Sequence, residues 1–286
     1  MREKDLGTLE KMTLSIVSPS KRPSSDSCEH CGSPLTRMSL KVFGEEIVLR
    51  PACECRLREL EEREKRARVE ELRLSIRRQG LEEGLYARMS LKEWECRDLS
   101  CEEAAKKLEV YLNRVRHGER NWLYLFGAHG LGKTHIAVAA LKYLCLERQW
   151  EPLLVRWSEY CSRIQQSWHS QEAESEYQLL RKASNLTLLV LDDIDKRASS
   201  EWALGKLFEL IDHRYLRQLP TILTANRSLE ALLTYWERNE QTQDLARAII
   251  SRIMGQLLGV IEFSGQDYRL RGIRCNSPPA LESEKD

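Results

Sequence analysis

Trp122-Leu-Tyr-Leu-Phe126, running straight into Gly127-Ala-His-Gly-Leu-Gly-Lys-Thr134, is the stretch that decides the fold. The apolar run 122–126 reads as a buried strand. The next residues fit G-x-x-x-x-G-K-T without a gap, and an apolar helix is expected over about 133–147. Strand, glycine-rich loop and helix in that order have one physical use. The glycines let the backbone curl so that successive N–H groups point inward at phosphate oxygens. The helix N-terminus adds a partial positive charge at the same point. Lys133 is expected to reach the β- and γ-phosphates of a triphosphate, and the Thr134 hydroxyl to bind magnesium. The binding loop is thus Gly127, Ala128, His129, Gly130, Leu131, Gly132, Lys133 and Thr134, with His135 directly after it.

Outward from that loop, short apolar runs recur at 152–156, 186–191, 221–224 and 259–263. Helical segments separate them. In 202–216, Leu204, Leu207, Phe208, Ile211 and Tyr215 share one helical face. Buried strands alternating with helices imply a parallel α/β sheet covered on both sides. Leu188-Leu-Val-Leu-Asp192-Asp193 ends a strand in two carboxylates, at the sheet edge where α/β ligands bind. Asp192 is expected to hold magnesium and Asp193 to polarise the attacking water. Thr221-Ile-Leu-Thr-Ala-Asn226 ends a strand in an amide. Alone it would start a loop; beside the other two motifs, Asn226 is placed at the γ-phosphate or the attacking water.

Composition narrows the class. The 286 residues are 42% hydrophobic, enough for a core, and 31% charged, with 45 lysines and arginines against 44 acids. That balance excludes an acidic tail protein and a uniformly basic nucleic-acid coat. The apolar stretches fall far short of the roughly 20 residues of a membrane helix, and residues 1–19 do not read as a signal peptide. Nine cysteines, an odd and unevenly spread number, argue for a reduced cytoplasmic protein with some cysteines on metal.

Those cysteines cluster near the N-terminus. Residues 1–27 read as a flexible tail. Cys28-Glu-His-Cys31 and Cys53-Glu-Cys55 follow, with 21 residues between the pairs. Two short pairs can supply four thiolates to a tetrahedral zinc; the residues leave open whether His30 replaces one. Cys96, Cys101, Cys145, Cys161 and Cys275 read as ordinary thiols. Residues 56–78 carry nine basic residues and six glutamates without proline or glycine. Glu59–Arg63, Glu61–Lys65, Glu62–Arg66 and Glu64–Arg68 are i,i+4 pairs, so a solvated helical spacer ending near Gly80 is expected.

Together the Gly127–Thr134 loop, 188–193, 199–215, 219–226, Ser251-Arg-Ile and Gln266-Asp-Tyr-Arg269 resemble the AAA+ branch that holds DnaC/DnaI-type replicative helicase loaders and IstB-type transposition helpers, over roughly residues 85–272. The resemblance implies a five-stranded parallel sheet of order 5-1-4-3-2 without a full lid domain, since few residues follow the last strand. It implies an ATPase using ATP and Mg2+, behind a zinc-binding region. It makes Asn226 sensor 1, Arg252 the finger completing a neighbour's site and Arg269 a sensor-2-like contact; by the residues alone, both arginines read as surface charges. Asp195 departs from the glycine common at its position. The implied divisions are a helicase-interacting zinc region at 28–57, a linker at 58–100, an ATPase domain at 101–275 and a tail at 276–286. The implied partners are a hexameric replicative helicase, single-stranded DNA and further copies of the chain assembling with ATP. Trp168, His169, Arg181 and Lys182 are candidate DNA contacts, with a solvated helix as the plainer reading.

Overall fold

The computed structural model describes residues 27–35, 38–42, 45–49, 53–94, 99–118, 120–168, 174–196, 200–265 and 267–268. Two units divide the chain, Met1–Arg68 and Val69–Asp286. The first holds an antiparallel hairpin of β1 (Met38–Val42) and β2 (Glu45–Leu49), paired from Met38↔Leu49 to Val42↔Glu45. It also holds the start of α1 (Glu54–Arg78), which sequence pattern placed two residues later.

The second unit follows with α2 (Gly84–Ala87) and α3 (Leu99–Arg114). The sheet then begins with β3 (Trp122–Gly127), α4 (Lys133–Arg148), β4 (Pro152–Arg156) and α5 (Trp157–Ser167). Next come α6 (Glu176–Asn185), β5 (Leu188–Asp192), α7 (Glu201–Leu216) and β6 (Thr221–Ala225). Finally α8 (Leu229–Trp236), α9 (Gln243–Gln256) and β7 (Leu257–Phe263) complete it. The strands run β4-β5-β6-β3-β7, every neighbouring pair parallel. Numbered by sequence within this sheet, the order is 2-3-4-1-5, the expected 5-1-4-3-2 seen from the other edge.

Alternation along each strand divides the core in two. Trp122, Tyr124, Leu189, Leu191 and Leu223 face one cluster with α5 to α9; Leu123, Leu125, Leu188, Val190 and Ile222 face the other with α3 and α4. Both faces are covered, so the central strands are buried and mostly apolar, as expected of a parallel sheet.

The charged helix differs from expectation. Its exposed pairs Arg58–Glu54, Arg63–Glu59 and Arg66–Glu62 form as i,i+4 spacing requires. Its end is not solvated: Leu72 and Ile76 are buried in the second core cluster with Leu81. Two apolar residues four apart, among charges, suffice to dock that last part of α1. The next residue but two, Gln79, then covers the sheet's edge strand. Its Nε2 donates to Pro152 O at 2.9 Å and its Oε1 accepts from Leu154 N at 3.0 Å, so the amide mimics a neighbouring strand where β4 would otherwise be open.

Candidate functional site

The ends of β3, β5 and β6 bring the predicted loop, acids and amide together. Lys133, the first residue of α4, is buried to 6% exposure, and its ammonium donates to Gly127 O at 2.9 Å, Ala128 O at 2.7 Å and Asn226 Oδ1 at 3.0 Å. An ammonium has three protons, and all three are directed at oxygens within the loop and strand end. Burial lowers the Lys133 pKa, while Asp193, Asp195 and Asp192 oppose that shift. Thr134 Oγ1 donates to Asp192 Oδ1 at 2.9 Å. Asp192 is 1% exposed; burial raises its pKa, the Thr224 and Thr134 hydroxyls hold it down, and neighbouring Asp193 adds to the rise.

Asp193 has φ of +56°, rare for a residue with a side chain. This turns its carboxylate out of the strand line, where Lys196 Nζ meets Oδ2 at 2.5 Å. Thr224 holds the pair: its hydroxyl donates to Asp192 Oδ1 at 2.7 Å and accepts from Asp193 N at 2.9 Å. A cleft of about 340 Å³ opens over the loop, lined by Leu85, Met89, Lys133, Thr134, Asp193 and Asn226 among others. An ammonium, curled glycine backbone and a hydroxyl beside a carboxylate form the donor set that a triphosphate and a hard divalent cation require. These residues fit both. His135 also lines this cleft, its Nε2 3.1 Å from Ser90 O.

Four participants were given no role of this kind by sequence reading. Thr224 stood in plain sight two residues before Asn226. Asp195 accepts from Asn226 and Arg227; its departure from the related pattern was the available signal. Asp267 and Tyr268 reach the loop after β7, where Tyr268 N donates to Gly130 O at 3.1 Å.

Other predicted residues lie elsewhere. Arg252, on α9, pairs through Nε with Asp212 Oδ1, donates to Ala248 O and sits 4.6 Å from the Phe208 ring centroid; none of these partners belongs to the phosphate loop. Arg269 and His169 lie outside the described residues. Trp168, 52% exposed, packs edge-on against Trp202, and Arg181 lies 6.0 Å over the exposed Tyr177 ring. No helix among the described residues is long and apolar enough to cross a membrane.

In the first unit, Gly32 N donates to Cys28 O at 2.8 Å, and Arg56 N and Leu57 N both donate to Cys53 O, so one thiol pair sits on a tight turn and the other at a helix start. The four sulfurs of Cys28, Cys31, Cys53 and Cys55 lie within 4.8 Å of one another; His30 is not in this group. Cys28 and Cys55 Sγ are 3.6 Å apart, and Cys31 and Cys53 Sγ 3.3 Å. A tetrahedron with Zn–S near 2.3 Å has edges of about 3.8 Å, so the set fits zinc. The Ser33 hydroxyl and N–H hold Cys31 down to about 6, while the neighbouring thiols push Cys55 up to about 12. Cys31 is thereby predisposed to bind as a thiolate, and a cation would release the remaining thiol protons.

Fold and site define a P-loop ATPase of the AAA+ class. The IstB-like ATP binding protein family matches residues 58–275, and the chain belongs to it. The replicative helicase loader DnaC of Escherichia coli strain K12 is 29% identical over 146 residues, 51% of this chain and 55% of that protein. The chain thus spans about half the length of the curated relatives it matches. The crystal structure of DnaI superposes with TM-score 0.52 at 25% identity, covering 61% of this chain and 90% of that one. That of the DnaC helicase loader gives TM-score 0.53 at 22% identity, covering 62% and 97%, and shares the fold.

Proposed function

We propose that this chain is an ATP-dependent loader that delivers a hexameric replicative helicase onto single-stranded DNA when replication begins in the cytoplasm. The observation that carries this reading is the zinc-suited thiol cluster preceding an ATPase unit similar to DnaC. In this reading Cys28, Cys31, Cys53 and Cys55 hold zinc and shape the surface that grips the helicase.

At the ATPase site, Lys133 turns from its internal acceptors to the β- and γ-phosphates. Its partial desolvation strengthens that contact. Thr134 and Asp192 would hold the magnesium ion, which would supply positive charge against the phosphates. Asp193 takes up the attacking water, and Asn226 stands over the same point. The loop amides from Gly127 to Thr134 cradle the phosphates. Arg252 leaves Asp212 to complete a neighbouring copy's site, and Arg269 contacts the nucleotide, so ATP drives assembly. Exposed Trp168 and Tyr177, with Arg181 and Lys182 nearby in sequence, offer base-stacking faces and positive charge to single-stranded DNA.

The family match itself supports a second reading, a transposition helper that assembles on DNA and recruits a transposase. Measuring the mass of the full chain mixed with its host's replicative helicase, with and without ATP, separates the two. A complex whose composition changes with ATP is expected for the loader. Absence of any complex, with ATP-dependent assembly on duplex DNA instead, selects the helper.

A further inference from the structure

Asn226 is held between a group that can only donate and a group that can only accept. Lys133 Nζ donates to its Oδ1 at 3.0 Å, and its Nδ2 donates to the two oxygens of Asp195 at 3.2 Å and 3.2 Å. An ammonium has no acceptor and a carboxylate no donor. A side-chain amide can turn over and exchange its oxygen and nitrogen. Turned over here, it would set its NH2 against the ammonium and its carbonyl against the carboxylate. Only one orientation satisfies both neighbours.

Asp195 is itself immobilised. It is buried to 5% exposure, accepts from the Asn226 backbone N–H at 3.1 Å and pairs with Arg227 NH1 at 3.0 Å. Arg227 is fixed in turn, its guanidinium 4.2 Å from the Tyr235 ring centroid and its carbonyl accepting from Tyr124 OH at 2.7 Å.

We propose that Asp195 is a positioning residue for ATP hydrolysis: it fixes the Asn226 amide with its oxygen toward Lys133 and the triphosphate site, so that Asn226 serves the reaction as a hydrogen-bond acceptor. An acceptor in that place can hold a proton of the attacking water, but makes no hydrogen bond with an unprotonated γ-phosphate oxygen. Asn226 therefore orients water. This inference rests on the assignment of Asn226 to the ATPase site.

The test compares the full-length parent, Asn226→Ala, Asp195→Ala and the double variant, reading turnover, affinity for a fluorescent ATP analogue, and the Asn226 side-chain amide signals in 15N NMR. Asp195→Ala is expected to lower kcat on the order of 10-fold, with affinity within about 2-fold, because a misplaced catalytic group costs rate rather than binding. The double variant is expected to be no slower than Asn226→Ala, since both act through one amide. The amide signals should shift and broaden in Asp195→Ala without nucleotide. Asp195→Asn, which keeps the volume and one acceptor, serves if the alanine variant folds poorly; a smaller kcat loss and the same moved signals are expected. Unchanged kcat in the Asp195 variants, losses that multiply in the double variant, or unmoved amide signals overturn the proposal. An Asn226→Ala variant with parental kcat overturns it too, and removes Asn226 from the site.

Discussion

Asp267 occupies the space in front of Gly130 where any other residue would carry a side chain: a Cβ built there would lie 1.6 Å from Asp267 Oδ1. Gly130 also has φ of +71°, a conformation that disfavours every L side chain. With the Tyr268 N–H on Gly130 O, the segment after β7 is latched to the phosphate loop. Gly130→Ala must either push that segment off or reshape the loop. We expect it to weaken ATP binding on the order of 10-fold or more, and the additional change Asp267→Gly to recover part of the loss by removing the collision. Full recovery is not expected, because the backbone preference still costs about 1 kcal/mol. Nucleotide titration of the two variants checks this; equal affinities in both would show that the contact is irrelevant to the loop.

Thr224 links Asp192 and Asp193, the two acids of the proposed ATPase reaction. Thr224→Val keeps the shape of the side chain and deletes the hydroxyl that donates to Asp192 and accepts from the Asp193 N–H. Asp192 is buried and Asp193 half-buried, and each would lose a partner, at about 1–3 kcal/mol. Melting temperature should fall accordingly. The magnesium concentration for half-maximal turnover should rise several-fold, since Asp192 loses one of the hydroxyls that orient it. A variant with parental magnesium dependence would separate Thr224 from the metal site.

The strands and the phosphate loop were legible because each is written in consecutive residues. The run 122–134 carries strand, loop and helix start in one line, and apolar strands such as Leu188–Asp192 are continuous because both faces of the sheet are covered. The hairpin of Met38–Val42 and Glu45–Leu49 escaped notice: each strand has only five residues, and Lys41, Glu45 and Glu46 break any simple apolar signal. Leu72 and Ile76 were hidden by the charges around them, since docking one end of a helix needs too few apolar residues to alter its average. Asp195 stood out only as a departure from the related pattern, and its role was illegible for another reason. Its partners are 31 and 32 residues further on, and no local pattern reports which strand end a buried carboxylate will face.

Arg214 is a buried cation with no carboxylate partner among the described residues. Its Nε donates to the Thr221 hydroxyl, NH1 to Ala183 O and Leu186 O, and NH2 to Thr187 O and Pro220 O, so five acceptors at the ends of α6 and α7 are satisfied by one side chain. Burial pulls its pKa down to about 9, still leaving it charged at neutral pH. Arg214→Met would fill similar volume and strand those carbonyls. A loss of about 3–5 kcal/mol is expected, lowering Tm on the order of 10 °C. Arg214→Lys, with three donors, should fall between. Thermal unfolding followed by circular dichroism reads both, and a methionine variant as stable as the parent would mean that water replaces the guanidinium.

The thiol cluster supplies a prediction that does not depend on nucleotide at all. Four sulfurs at near-tetrahedral spacing, on a tight turn and a helix start, have little apolar core beneath them in the described part of the first unit. Small units of this kind derive their folding energy from the metal. Purified protein is therefore expected to carry about one zinc per chain, and Cys28, Cys31, Cys53 and Cys55 to resist alkylation until a strong chelator is added. Chelation should then expose all four thiols and open residues 28–57 to proteolysis. Lys133, Thr134 and Asp192 belong to the other unit, so affinity for the ATP analogue should stay within about 2-fold of the starting value. Helicase binding should be lost. Cys31→Ser should reproduce these effects without chelator, because removing one of four ligands weakens a structural zinc site severely. If chelated protein keeps its thiols protected and still binds helicase, the sulfurs serve neither metal nor partner.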